Sequence, residues 1–279
     1  MAHLPIIIVS GEAGSGKDAI SSIIAKAYNG VTVAQADPMK RFVKEVFKFD
    51  DNSLWGSSET RAKPINTDEY TTREGWAMAL GRLKFASVFF FKDMFPQADD
   101  DFIRLADIRL EKWFFDLRAH FAVGPNSGHP SSRYILQTLG TEWGRSMKPT
   151  MWSSFAIESC LKLLAGEFDY TREKGLILNK DQQGYGCAII SDGRFKDEIL
   201  AVRRIGGTTI KVISSEKVEL AGGIKNHPSE VQQRTIPDHF YDLIVMNDKS
   251  KGLDKLAEQL NLVLGKLPAL AAPLIIKGW

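Results

Sequence analysis

The chain has 279 residues, 44% hydrophobic and 25% charged, with a formal net charge of +2. That length suits one large domain or two small ones, and the composition excludes the disordered, fibrous and collagen-like classes. The near balance of charge excludes the basic footprint by which a protein grips a nucleic-acid duplex or a membrane surface, so a small polar partner is expected. Two cysteines, Cys160 and Cys187, lack metal-ligand spacing and are too few for a disulfide framework; both are expected to be reduced and buried.

In chain order, the opening MAHLPIIIVS holds an apolar run too short for a signal-peptide core or a membrane span, with no basic leader. The expected location is the cytoplasm. Leu4 to Val9 is nearly continuous in apolar residues and predicts a strand buried on both faces of a parallel sheet. A glycine turn follows, then a helix over about Lys17 to Tyr28 with Ile20, Ile23, Ile24 and Ala27 at helical spacing, stopped by Asn29-Gly30. Val31 to Ala34 reads as a second strand. This strand, turn, helix, strand unit predicts α/β architecture, with helices covering a parallel sheet.

From about Pro38 to Gly166 helical periodicity dominates, with amphipathic stretches at Met39 to Phe49, Trp76 to Phe95 and Phe102 to Phe121. Strand patterns return at Cys187 to Ser191, Thr208 to Ile213 and Leu243 to Met246, with helices at Asp197 to Arg204 and Lys251 to Leu264. The terminal LPALAAPLIIKGW reads as a packed tail. No internal repeat is present. The sheet is therefore expected to draw on both ends of the sequence, with a ligand at the carboxyl edges of its strands.

The segment Gly11-Glu12-Ala13-Gly14-Ser15-Gly16-Lys17-Asp18 fits G-x-x-x-x-G-K, directly after a predicted strand and at the start of a predicted helix. Its glycines let backbone N–H groups converge on phosphate oxygens, the helix amino terminus adds a favourable dipole, and Lys17 neutralises charge on the β and γ phosphates. ATP with Mg²⁺ is the expected ligand, held from Gly11 through Ala19. The glycines are not spaced as G-x-G-x-x-G, against a dinucleotide site. Asp18 stands where most such loops carry the Ser or Thr that binds Mg²⁺; holding the metal through water and capping the helix are both open to it.

A helix over Tyr134 to Met147, with Ser131 and Ser132 as candidate caps, places Arg133, Gln137, Thr141 and Arg145 on one face and Leu136, Leu139 and Trp143 on another. Two guanidinium groups, an amide and a hydroxyl equip that face for a phosphate and a base edge; a solvated surface stripe is the plainer reading. Gly140 inside the helix marks close approach by another group. Asp192 and Arg194 follow a predicted strand, where a carboxylate can order a metal's water shell or accept a hydroxyl proton and an arginine can neutralise a transferring phosphoryl group. Asp197 and Glu198 fall in the next helix's first turn, where dipole capping is the simpler role. Lys40, Arg41 and Lys44, just after Asp37-Pro38, are open to two readings, a solvated helix face and a contact for an acceptor phosphate beyond the second strand. Lys217, Lys225 and Arg234 suggest a lid. Asn247 is placed to edge an adenine.

These residues resemble the deoxynucleoside monophosphate kinases of tailed bacteriophages, within the wider group of P-loop kinases similar to nucleoside monophosphate kinases. The resemblance rests on SGEAGSGKD, on ADPMKR with FDDNSLWGSSETRAKP, on LQTLGTEWGR with Trp152 following, on ISDGRFKDE with Gly206-Gly207, and on HPSE, in that order over nearly the whole chain. It implies a three-layer P-loop NTPase fold in one kinase domain, with a core of about 1–37 and 186–265 and a helical nucleotide-binding insert of about 38–166. It also implies transfer of the ATP γ-phosphoryl group to a deoxynucleoside 5′-monophosphate. At matching positions, Gly14, Gly16, Lys17 and Asp18 would bind ATP, and Lys40 and Arg61 would approach the acceptor phosphate. Gln137, Gly140, Thr141, Arg145 and Trp152 would line the nucleotide pocket, while Asp192 and Arg194 would serve the reaction centre; apart from the resemblance, Asp37 and Glu198 are expected as further acceptor contacts.

The partners expected are small nucleotides, with a homodimer left open, and neither a nucleic-acid duplex nor a membrane; for a phage-encoded chain the location becomes the host cytoplasm. The stretch from about Asn66 to Pro130, with its Phe89-Phe90-Phe91 run, is longer than the family pattern. A dephospho-coenzyme A kinase or a phosphomevalonate kinase of the same fold is the nearest alternative. A P-loop ATPase or GTPase is opposed by Gly193 after Asp192, where a water-activating Glu is usual, and by the absence of N-K-x-D after Asn247.

Overall fold

The computed structural model describes residues 4–12, 14–65, 67–123, 127–181, 183–214 and 228–264. The expected packed tail, Ala13, Lys217 and Lys225 lie outside the described residues. The chain opens with β1 (Ile6–Gly11), α1 (Lys17–Ala27) and β2 (Gly30–Val33). Helices follow: α2 (Asp37–Phe47), α3 (Asp51–Trp55), α4 (Ser58–Ala62), α5 (Arg73–Met94), α6 (Asp100–Phe121) and α7 (Ser132–Thr138). A π-helical segment, Leu139–Arg145, continues α7, and α8 (Met151–Leu164) leads to a hairpin of β3 (Phe168–Thr171) and β4 (Gly175–Leu178). The remainder is β5 (Cys187–Gly193), α9 (Lys196–Arg204), β6 (Thr208–Ser214), α10 (Pro228–Thr235), β7 (Leu243–Asn247) and α11 (Gly252–Leu264). None of the described helices is long and apolar enough to cross a membrane.

The described residues divide into two units, one of residues 4–37, 152–214 and 228–264 and one of residues 38–151. The first holds a five-stranded sheet in the order β2-β5-β1-β6-β7, every pair parallel. Its isoleucine-rich strands suit burial on both sides, because successive side chains point to opposite faces. Ile6 and Ile8 of β1, with Val31, Val33, Ala188 and Ile190, pack on Ala156, Cys160 and Leu163 of α8 and on Ile199 and Val202 of α9. Ile7 and Val9, with Ile189, Ile210, Val212 and Val245, pack on Ile20 and Ile24 of α1 and on Leu256 and Leu260 of α11. Each fully buried isoleucine stabilises by roughly 1.5–3 kcal/mol, so the two layers together hold the sheet firmly. The result is a three-layer α/β unit of the P-loop NTPase-like kind.

All five strands point the same way, so Gly11, Asp192, Gly193 and Asn247 come to one edge. The pairing of β1 with β5 runs Ile8 to Ile190 and then Ser10 to Gly193, which gives β5 one extra residue just before that edge. Such a bulge re-aims a side chain, here in the stretch that carries Asp192. The β3–β4 hairpin has no counterpart among the predicted strands. Its strands have four residues each and are half-exposed, with Phe168, Tyr170 and Leu176 alone packing on the core.

The second unit is helical and its core is largely aromatic. The Phe47 ring lies 5.8 to 6.5 Å from the rings of Phe49, Tyr70, Trp76, Trp113 and Phe114. Polar tips in this core find partners: Tyr70 Oη donates to Phe47 O at 2.7 Å, Trp113 Nε1 to Thr138 Oγ1 at 3.0 Å and Trp143 Nε1 to Ala106 O at 3.1 Å. Unsatisfied, each would cost about 1–3 kcal/mol. Of the Phe89-Phe90-Phe91 run, Phe90 and Phe91 are buried against Trp143 while Phe89 is exposed.

Two expectations are corrected here. The helix predicted over Met39 to Phe49 starts at Asp37 and ends at Phe47, because Lys48 adopts a left-handed φ of 56°. The single α-helix predicted over Tyr134 to Met147 is instead α7 followed by the π segment. Hydrogen bonds there reach i→i+5, so the four-residue spacing of Gln137, Thr141 and Arg145 no longer marks one α-helical face.

Candidate phosphate-binding site

The loop after β1 is shaped by glycines. Gly14 has φ 75° and Gly16 has φ 97° with ψ 17°, left-handed values that side-chain-bearing residues rarely adopt. A Cβ at Gly16 would stand 2.1 Å from Asn247 Nδ2, and one at Gly11 would stand 2.5 Å from Val212 O. Gly16 is the N-cap of α1, where no described side chain caps the helix. The first turn of α1, Lys17 to Ala19, follows directly on the glycine loop, and the positive end of the helix dipole there favours an anion. Ser15 N donates to Glu12 O at 3.0 Å and Asn247 Nδ2 to Ser15 O at 2.8 Å, fixing the turn. Ser15 Oγ is buried with no hydrogen-bond partner among the described residues. Lys17 Nζ donates to Glu12 O at 3.0 Å, folded back along the loop; Asp18 is exposed and Ala19 half-buried. The turn, the amino end of α1 and the Lys17 cation suit a polyphosphate.

Next to β1 in the sheet, β5 carries Asp192 one residue before its end. Its Oδ1 accepts from Gln35 N at 2.7 Å and its Oδ2 from Ala36 N at 3.0 Å, tying the exit of β2 to β5. Burial raises the Asp192 carboxyl above the ordinary carboxylate range, opposed by those backbone donors and by the Arg194 charge. Glu198 Oε2 accepts from Arg194 N at 2.8 Å, Phe195 N at 3.1 Å and Gln35 Nε2 at 3.2 Å. It therefore anchors the start of α9 and the backbone of Arg194. Asp37 Oδ2 accepts from Tyr170 Oη at 2.8 Å.

The chain matches no family model. One viral protein is similar to it over most of its length. That protein, from Acanthamoeba polyphaga mimivirus and described as "Putative deoxynucleotide monophosphate kinase", is 22% identical over 245 residues, which cover 88% of this chain and 89% of the viral one.

Several of the predicted site residues meet at this edge: Gly11 at the end of β1, Gly14, Ser15 and Gly16 on the loop, Lys17, Asp18 and Ala19 in the first turn of α1, Asp192 near the end of β5, Arg194 just after it and Glu198 in the first turn of α9. Asn247, expected at an adenine, has its amide bonded to the loop's own carbonyl. Arg234, expected in a lid, pairs with Glu12 at 3.4 Å on the surface. Trp152 is buried in α8 of the first unit.

The other predicted substrate contacts lie in the second unit. Lys40 and Lys44 place Nζ 5.8 and 5.9 Å from the Trp55 ring, and Lys44 also pairs with Asp51 at 2.6 Å. Arg61 lies in the last turn of α4, its carbonyl accepting from Ser132 Oγ at 3.3 Å. Gln137 is buried, and Thr141 and Arg145 are half-buried in the π segment. A Cβ at Gly140 would stand 3.2 Å from Met39 Sδ, so the close approach marked by this glycine is made by a side chain of the protein itself.

Two glutamines escaped the sequence reading. Gln35 carries both the amide that holds Asp192 and the side chain that holds Glu198. Gln233 of α10 is buried, and its Nε2 donates both to Gly11 O and to Gly193 O, the latter at 3.1 Å. One carboxamide thus joins the strand end that opens the glycine loop to the strand end that carries Asp192.

Proposed function

We propose that this chain is a kinase that transfers the γ-phosphoryl group of ATP to a deoxynucleoside 5′-monophosphate, giving the diphosphate and ADP. The observation that carries the reading is the left-handed Gly14 and Gly16 ahead of the uncapped start of α1, one strand away from Asp192. The likeness to the mimivirus protein along nearly the whole of both chains supports it. When bound, ATP supplies the phosphoryl group and Mg²⁺ offsets the charge of its phosphates.

In this reading the loop amides and the first turn of α1 bind the phosphates, and Lys17 leaves Glu12 O to neutralise the β and γ oxygens. Arg194 stabilises the charge spread over the transferring group, its backbone held by Glu198. Asp192, oriented by two amides, and the exposed Asp18 are the carboxylates suited to a metal's water shell. The acceptor is assigned to Lys40 and Arg61 for its phosphate and to Gln137, Thr141 and Arg145 for its sugar and base. Gln137 and Arg145 have the amide and guanidinium donors for that task. Asp37, Glu198 and Asn247 act as braces.

The test is a panel of acceptors with ATP and Mg²⁺: the four deoxynucleoside monophosphates, their ribose counterparts, dephospho-coenzyme A and phosphomevalonate. Transfer to at least one deoxynucleotide in clear excess over the last two is expected. Transfer to dephospho-coenzyme A or phosphomevalonate alone would replace the acceptor assignment.

A further inference from the structure

Helix α5 buries Trp76, Ala79, Leu83, Phe90 and Phe91 in the aromatic core. Its other face is apolar too, with Met78 56%, Phe85 71%, Val88 65% and Phe89 58% exposed. Along that face the exposed residues Glu74, Met78, Gly81, Phe85, Val88 and Lys92 follow one another at alternating steps of four and three, the seam spacing of a coiled coil.

Gly81 lies mid-seam. Glycine within a helix is destabilising relative to alanine. Yet a Cβ built at Gly81 meets nothing within 4 Å, so no packing among the described residues requires the missing side chain.

The seam is complementary to itself when reversed. In an antiparallel coiled coil each seam position of one type faces the other type on the partner. Aligning α5 with a second α5 about Leu83 sets Phe85 over Gly81, Met78 beside Val88 and Lys92 opposite Glu74, each twice. The largest side chain meets the position with none, and base meets acid at both ends. Phe89, whose ring centroid is 5.4 Å from that of Phe85, supports it from the flank. We propose that α5 is a homodimerisation helix, pairing antiparallel with the α5 of a second copy of this chain through an isologous two-fold contact. The absent side chain at Gly81 admits the partner's Phe85.

The test is sedimentation equilibrium of the full chain at micromolar concentration. The unaltered protein is expected at twice the chain mass. Phe85→Glu is expected to weaken association by at least about 30-fold, the effect of removing a central aromatic anchor, with an unchanged circular dichroism spectrum because the ring is exposed in the single chain. Glu74→Lys, which brings like charges together, should also weaken it, and adding Lys92→Glu should restore it. A single-chain mass for the unaltered protein, or a dimer indifferent to Phe85→Glu, overturns the proposal. Failure of the double charge exchange to restore the dimer overturns the antiparallel register.

Discussion

Asp192 is held by two main-chain N–H groups from the segment after β2, so its carboxylate is oriented before any ligand arrives. Arg194, two residues on, carries a positive charge and has its backbone N–H held by Glu198. Removing that charge with Arg194→Ala should lower turnover by about 2.7–4 kcal/mol of barrier, with the nucleotide KM much less changed. Steady-state kinetics reads this directly, and near-normal turnover would take Arg194 out of the mechanism. The two thiols behave alike. Burial pushes both Cys160 and Cys187 up to about 12 from an ordinary 9.0. Thiolate is the reactive form, so iodoacetamide near neutral pH should label neither until the chain unfolds. The unfolded thiols lose protons first as pH rises. Their contribution to stability is therefore intact below about 9 and declines between about 9 and about 12, which denaturant titrations across that range would follow. Labelling of the native protein near pH 7 would contradict the burial of both.

Among the elements, α10 acts on the site through one side chain. Gln233→Leu keeps the volume but leaves two buried strand-end carbonyls without their shared donor, at a cost of about 1–3 kcal/mol in chemical denaturation. A change within about 0.5 kcal/mol would mean the bridge is dispensable. The strands and α1 were legible in the sequence because a parallel sheet buried on both faces writes itself as apolar β-branched runs, and because a phosphate loop needs its glycines at fixed offsets. Gln233 was not, since its bond to Gly11 spans 222 positions and no local pattern signals it. The π segment was hidden for a related reason: its residues read as a good α-helix, and no local pattern marks the change to i→i+5 bonding. The bulge in β5 is likewise a matter of register between strands.

At the scale of the whole molecule, the two-part organisation follows from composition along the chain. Residues 38–151 combine helical periodicity with most of the aromatic rings, while the flanking segments carry the isoleucine and valine runs that make the sheet. The small hairpin between α8 and β5 escaped because four-residue, half-exposed strands carry too few apolar residues to stand out. The chemistry assigned to the protein depends on one feature above the rest, an anion held by main-chain amides at the start of α1 with Lys17 as counter-charge. The most direct measurement is transfer of label from γ-phosphate-labelled ATP to a deoxynucleoside monophosphate in the presence of Mg²⁺, comparing the unaltered protein with Lys17→Ala. Labelled diphosphate from the former and none above background from the latter, with both folded alike, is the predicted result; equal transfer by the two, or none by either across all four bases, would contradict it.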